Sequence, residues 1–353
     1  MNHTYRLVWN KSLNMLVAVA EFARSKGKSA GGKTASPPPE QQAMHLSGVR
    51  EGLAAKFTPG YVMIMAALFS IIGEASAQVT VLPVSGVGYT VMTPYLFITL
   101  NSNGYIGNGN TAPGIEHDPT GSSTFSSGSD YLTPGSPFEG FYLTGTGSGF
   151  TNISANNGDG YITGFGNSGT LTNNSTSSLV DFVWTDSNSA VTLTNEYKYS
   201  DTSQNIQITT TITANTNISN LQFLRTTDPD QDSSTVLGDN ATSSTNNSIG
   251  INSGSINIPA SDVACAAGPV RSSLTICMYT NSSVSHQAGV SSGWTTSPSD
   301  YLQSAPLNDG NGDYTIGLGF NIGSLTTGSS AVLNYSYLFS ADSIGANSFV
   351  NLW

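Results

Sequence analysis

Val191-Thr192-Leu193-Thr194-Asn195-Glu196-Tyr197-Lys198-Tyr199 alternates apolar and polar residues with a period of two, the pattern of a strand with one face buried. The same alternation runs through Leu179-Val180-Asp181-Phe182-Val183-Trp184 before it and Ile206-Gln207-Ile208-Thr209-Thr210-Thr211-Ile212-Thr213 after it. Short polar turns separate the three runs. After Ala77 no segment holds a helical period among good helix formers, so the sequence predicts an all-β domain.

Outward from this centre, Val79 to Leu82 and Tyr95 to Leu100 predict short strands. The stretch from Asn101 to Gly149 reads as loop, punctuated by Asn108-Gly109-Asn110, Thr133-Pro134-Gly135 and Phe138-Glu139-Gly140-Phe141. Toward the end, Tyr314 to Ile322, a turn at Gly323 to Ser330, and Ala331 to Phe339 predict a closing hairpin. Strands spaced by about ten residues favour a β-sandwich. A β-solenoid is the alternative, but the repeat of about 20 to 25 residues that such a coil needs is not visible.

The composition divides the chain at residue 77. Of 11 basic residues in the whole sequence, only Lys198, Arg225 and Arg271 follow it, against 18 of the 22 acids, so residues 78–353 carry a net charge near −15. Nucleic-acid partners are excluded on this count, because phosphate binding rests on Lys and Arg. The first part has the opposite character. Tyr61 to Ile72 is an apolar run preceded by Lys56 and followed by Ala75-Ser76-Ala77, a signal-peptide core with an A-x-A cleavage site. It is shorter than the ~20 residues a membrane-spanning helix needs. Cleavage after Ala77 is expected, with the mature chain starting at Gln78.

Some sixty residues precede that core. Residues 1–28 hold Arg6, Lys11, Arg24, Lys26 and Lys28, and residues 29–60 begin with a linker rich in Gly, Ser and Pro. An anionic inner leaflet holds such a basic segment by roughly 1 kcal/mol per charge. Tyr5-Arg6, Val8-Trp9-Asn10, Asn14, Val17, Val19, Glu21 and the basic close from Arg24 to Lys28 place several fixed residue types at fixed spacing. The segment resembles the extended signal peptide region of type V secreted proteins, the autotransporters and two-partner exoproteins of Gram-negative bacteria. His3 departs from the basic residue common there. The resemblance implies inner-membrane export machinery as the leader's partner and a destination at the cell surface or outside the cell. It does not extend to the exported domain.

Cys265 and Cys277 are read as a disulfide, since an oxidising compartment favours one and a zinc site lacks further ligands nearby. Closing so short a loop is worth ~3 kcal/mol in the chain-entropy model.

Two acidic stretches could hold calcium, which takes hard oxygen ligands. In Leu224-Arg225-Thr226-Thr227-Asp228-Pro229-Asp230-Gln231-Asp232 the carboxylates of Asp228, Asp230 and Asp232 alternate. Asp309-Gly310-Asn311-Gly312-Asp313 offers Asp309, Asn311 and Asp313. Neither is an EF-hand. The plainer reading is a pair of Asp-capped turns, with Arg225 pairing to Asp228 or Asp230.

No nucleophile motif is present, and the catalytic inventory is thin. Glu116-His117-Asp118, Glu139 and Glu196 could serve acid and base roles, but nothing in the sequence brings any two of these sites together. Tyr105, Phe141, Tyr142 and Trp294 could stack on sugars, although core packing is the favoured reading of such residues. The chain reaches Trp353 without the series of ten-residue strands of a translocator. The expectation is therefore the front part of a type V passenger acting by contact as an adhesin, with a host-cell, matrix or glycan ligand. A calcium-stabilised carbohydrate-binding or carbohydrate-active module is the alternative.

Overall fold

The computed structural model describes residues 5–10 and 15–20 and, from 78 to 341, all except 134, 159–160, 166–168, 232–243, 254–255 and 270–273. Within the leader, β1 (Tyr5–Asn10) and β2 (Met15–Ala20) pair antiparallel, with Tyr5 opposite Ala20 and Asn10 opposite Met15. Asn14, Glu21, the apolar run 61–72, Ala75 and Ala77 lie outside the described residues, as does Asp232.

From residue 78 onward the regular structure is almost all antiparallel strand. The three alternating runs form β11 (Leu179–Ser187), β12 (Val191–Ser200) and β13 (Asn205–Ala214), consecutive neighbours in an eight-stranded sheet. Along β12 and β13 buried and half-buried residues alternate without a break, as period two requires of a sheet with one face inward. The sheet continues from β13 into β22 (Ser330–Ser340), β19 (Thr275–Thr280), β18 (Val263–Ala267) and β15 (Asn246–Ile249), with β10 (Thr170–Asn173) at the other edge.

A six-stranded sheet lies against it. Its order is β20 (Ser285–Ser291), β21 (Thr315–Leu325), β14 (Ile218–Thr227), β7 (Glu139–Gly147), β8 (Ile153–Asn156) and β9 (Tyr161–Thr163). Aromatic rings fill the space between the sheets. Phe223 of β14 lies 6.2 Å from Tyr335 of β22, and Phe141 of β7 lies 5.4 Å from Trp184 of β11. A third sheet of β3 (Thr80–Val84), β4 (Gly88–Met92), β5 (Leu96–Asn101) and β6 (Ile115–His117) adds Val91, Leu96, Ile98, Leu100 and Ile115 to the same core. The fold is all-β and sandwich-like, with stacked sheets in place of a solenoid's coil.

Two expectations are corrected. Phe138-Glu139-Gly140-Phe141 is not turn punctuation, because Glu139 opens the nine-residue strand β7, whose first five residues are buried. Central placement in the six-stranded sheet overrides the local glycine signal. The last two long strands do not form a hairpin either. β21 pairs with β14 and β20, whereas β22 pairs with β13 and β19 in the opposite sheet. The turn between them passes from one layer to the other. Alternation alone cannot separate the two arrangements, since both strands send one face into the same core.

Cys265 on β18 and Cys277 on β19 are directly opposed in register and joined as a disulfide, with their Cα atoms 4.1 Å apart. The hairpin of β16 (Ile251–Ser253) and β17 (Ile256–Ile258) brings Ile251 and Ile258 against it on the outer face of the large sheet. Replacing both cysteines by alanine is expected to lower the unfolding free energy by ~3 kcal/mol, the loop-closure value for this spacing. Urea unfolding of oxidised and double-variant protein would check it; a difference below about 0.5 kcal/mol refutes the loop-closure account.

Candidate functional site

The outer face of the six-stranded sheet carries a polar cap built from residues 292–314. Its anchor is Tyr301, at the end of the short helix α1 (Pro298–Tyr301). Tyr301 is fully buried and lies across Gly289, Gly317 and Gly319, where an added Cβ would come within 2.9 Å of its atoms. The glycines of Ile316-Gly317-Leu318-Gly319 thus make the groove into which the ring fits. Its hydroxyl lies 3.3 Å from the Thr226 and Thr315 hydroxyls.

Beyond this anchor, loop 308–314 is clamped to the segment around Asn247. The Asn247 amide donates to Asn311 Oδ1 at 2.9 Å, and its side chain donates to the carbonyls of Gly310 and Gly312 at 3.2 Å. Asp309 accepts from the Ser292 amide and hydroxyl, both at 2.7 Å. Asp309 and Asn311 are therefore occupied in shaping the loop. Asp313 is left to face β14, where it meets Asp228 and Asp230, and one oxygen from each of the three carboxylates lies within 4.8 Å of the others.

The acidic residues so divide differently from the two separate triplets read in the sequence. One member of the second joins two members of the first. Arg225 does not pair with Asp228 or Asp230, because its side chain points into the sandwich interior while the aspartates follow the end of β14. Its Nε donates to Glu139 Oε1 at 2.6 Å in the sandwich interior.

Burial and the Asp313 carboxylate push the Asp228 carboxyl up to about 8. Burial raises Asp313 as well. A carboxyl with a raised folded-state pKa binds its proton more tightly in the native state, so its contribution to stability is greatest below the unfolded pKa and is lost as pH rises through the folded one. In metal-chelating buffer, unfolding free energy is expected to fall as pH rises from about 4 to 8. Asp228→Asn should flatten that slope in urea titrations; an unchanged slope would refute the assignment to Asp228.

Next to the cluster is a shallow cleft lined by Ser291, Ser292, Trp294, Thr295, Asp300 and Asp309 among others. Trp294 is partly exposed and has φ 51°, a left-handed backbone that is rare for a bulky residue. Its Nε1 donates to the Asp313 carbonyl at 3.1 Å and its ring lies 5.8 Å from that of Phe138. Of the four aromatics considered for sugar stacking, Tyr105, Phe141 and Tyr142 are buried and only Trp294 reaches solvent.

The candidate acid and base residues are dispersed. Asp118 accepts from Thr120, Ser122 and Thr124 in a turn. His117 Nε2 lies 2.8 Å from Gln204 Oε1, and burial lowers the imidazole pKa. Glu116 is buried and held well above the usual carboxylate range by burial and then by Asp130. Glu196 is bonded to Lys198 at 3.2 Å. Glu139 sits in a buried network that the sequence did not disclose: Oε2 accepts from the Ile106 amide at 2.6 Å, while Oε1 accepts from Arg225 and, at 2.8 Å, from Tyr337.

No curated protein matches the chain in sequence. Among solved structures, a bacterial glucoamylase complexed with acarbose has TM-score 0.40 at 9% identity, over 80% of this chain and 35% of its own. A heparan sulfate lyase from Pedobacter heparinus has TM-score 0.40 at 7% identity, over 81% of this chain and 42% of its own. A putative aldose 1-epimerase from Escherichia coli K12 has TM-score 0.36 at 9% identity, over 74% of this chain and 99% of its own. The chain thus spans less than half the length of the first two. The leader is a different matter. Residues 1–46 match the family described as Extended Signal Peptide of Type V secretion system, and with that leader the protein is exported across the inner membrane toward the cell surface or the extracellular space.

Proposed function

We propose that the exported domain, released as Gln78 onward by cleavage after Ala77, is a contact module of a type V passenger that binds carbohydrate at the Trp294 cleft. The observation that carries this reading is the Trp294 backbone, held at φ 51° while its ring stays partly exposed. Backbone strain at a solvent-facing aromatic persists only where the surroundings impose it, and such outliers cluster at ligand sites. Here the Asp313 carbonyl and the Phe138 ring contact the indole. An aromatic face flanked by hydroxyls and carboxylates suits a sugar ring, whose C–H face packs on indole while its hydroxyls donate to Asp and Ser oxygens. An adhesin acting through surface glycans is the biological form of this reading.

A glycan array probed with the full chain, followed by titration of the strongest ligand against Trp294 fluorescence, would test it. Trp294→Ala is expected to weaken binding at least tenfold, about 1.4 kcal/mol, with the fold intact by circular dichroism. An array without hits, or undiminished binding by the variant, refutes the assignment.

A further inference from the structure

The structure assigns a single divalent-cation site to Asp228, Asp230 and Asp313, of the calcium class, joining the end of β14 to loop 308–314. It goes beyond the carbohydrate reading and does not depend on it. The geometric basis is the convergence of three carboxylates, each offering one oxygen within 4.8 Å of the others. A second and independent observation concerns Asp228. It is only 1% exposed, and neither of its carboxylate oxygens has a hydrogen-bond partner among the described residues. A buried carboxylate with no donor is costly, and what relieves it is either a proton or a cation.

Among the described residues of 78–341, no lysine or arginine supplies the charge. Lys198 is engaged with Asp181 and Glu196, and Arg225 with Glu139. Arg271 lies outside the described residues. The ligand set is oxygen only, which selects hard ions over zinc or copper. Asp228 and Asp230 are each 1% exposed and Asp313 is exposed, so the site has a protein-walled side and an open side, where waters complete a shell of six to eight oxygens. Calcium accepts such irregular shells, whereas magnesium demands near-ideal octahedral geometry. Extracellular calcium modules work at about 0.1–1 mM, and that range is expected here.

The test uses the full chain stripped with a chelator and returned to neutral buffer. At about a hundredfold excess of calcium over Kd, the Tm is expected to rise by roughly 5 °C, with no rise in sodium chloride of equal ionic strength. Terbium should bind in place of calcium and emit on excitation of Trp294, whose indole is hydrogen-bonded to the Asp313 carbonyl, and calcium should quench that emission by displacement. Asp228→Asn removes the buried charge with little change of shape and should abolish both responses. Asp313→Asn, on the exposed side where the fold is least at risk, should weaken calcium binding at least tenfold. A Tm unmoved by calcium, a rise matched by sodium chloride, or an unaltered response in both variants overturns the assignment. Loss of glycan binding leaves it standing, because none of these readouts involves the cleft's ligand.

Discussion

Glu139→Ala is expected to lower the unfolding free energy by about 3–5 kcal/mol. Glu139 and Arg225 both have fully buried side chains, so neither charge can recover solvation when the other is removed. The carboxylate also accepts from the Ile106 amide and the Tyr337 hydroxyl, and the Arg225 guanidinium donates to the Tyr197 hydroxyl at 3.2 Å. Four structural pieces are tied here: β7 and β14 from the small sheet, β12 and β22 from the large one, with the 106 loop as a fifth contact. Arg225 further lies 5.6 Å from the Phe141 ring and 5.7 Å from that of Tyr197. For a domain of this size, the loss corresponds to a Tm drop of roughly 10 °C. The double variant Glu139→Leu/Arg225→Met should recover most of it, since an apolar pair in place of a buried ion pair is often neutral or stabilising. Urea unfolding of the two single variants and the double one decides the matter. Single variants within about 1 kcal/mol of wild type would mean that the charges are solvated and the interior wet.

Trp184→Ala is expected to cost about 3–5 kcal/mol, by lost transfer energy and an unfilled cavity. The indole is fully buried and contacts rings from several elements, with Phe141 at 5.4 Å and Phe165 at 6.2 Å. Its Nε1 donates to the Ser102 carbonyl at 2.9 Å, fixing the loop after β5 to the large sheet. The backbone of Gly104 lies against the ring, where a Cβ would come 2.4 Å from it, and its φ of 77° also favours glycine. Gly104→Ala should therefore destabilise through both clash and backbone strain, though by less than loss of the indole. Thermal and urea unfolding of both variants would check the order; a Trp184→Ala cost below that of Gly104→Ala would refute the packing account.

Much of the architecture was legible because strand alternation is a local property. Leu179 to Thr213 shows period two over three runs, and a sheet with one buried face is its direct physical consequence. The leader was legible for a related reason: residue types at fixed short spacing need no tertiary context to be recognised. The layer in which each strand sits was not legible. The same alternation in β21 and β22 serves a hairpin or a crossing between sheets, and only their pairing with β14 and β13 decides between them.

The site shows the same limit. Asp228, Asp230 and Asp313 could each be singled out as oxygen ligands, but the chain brings 228 and 313 together through sheet pairing and the Asn247 clamp. Glu139 and Arg225 are 86 residues apart, and their union follows from the register that sets β7 beside β14. By itself, the sequence determined export, the all-β class and the central strand run, since composition and short-range period carry them. Only the tertiary structure decided the layer order, the buried Glu139–Arg225 pair and the meeting of the three aspartates. Those depend on contacts between residues far apart in the chain, whose energies exist only once the sheets are packed.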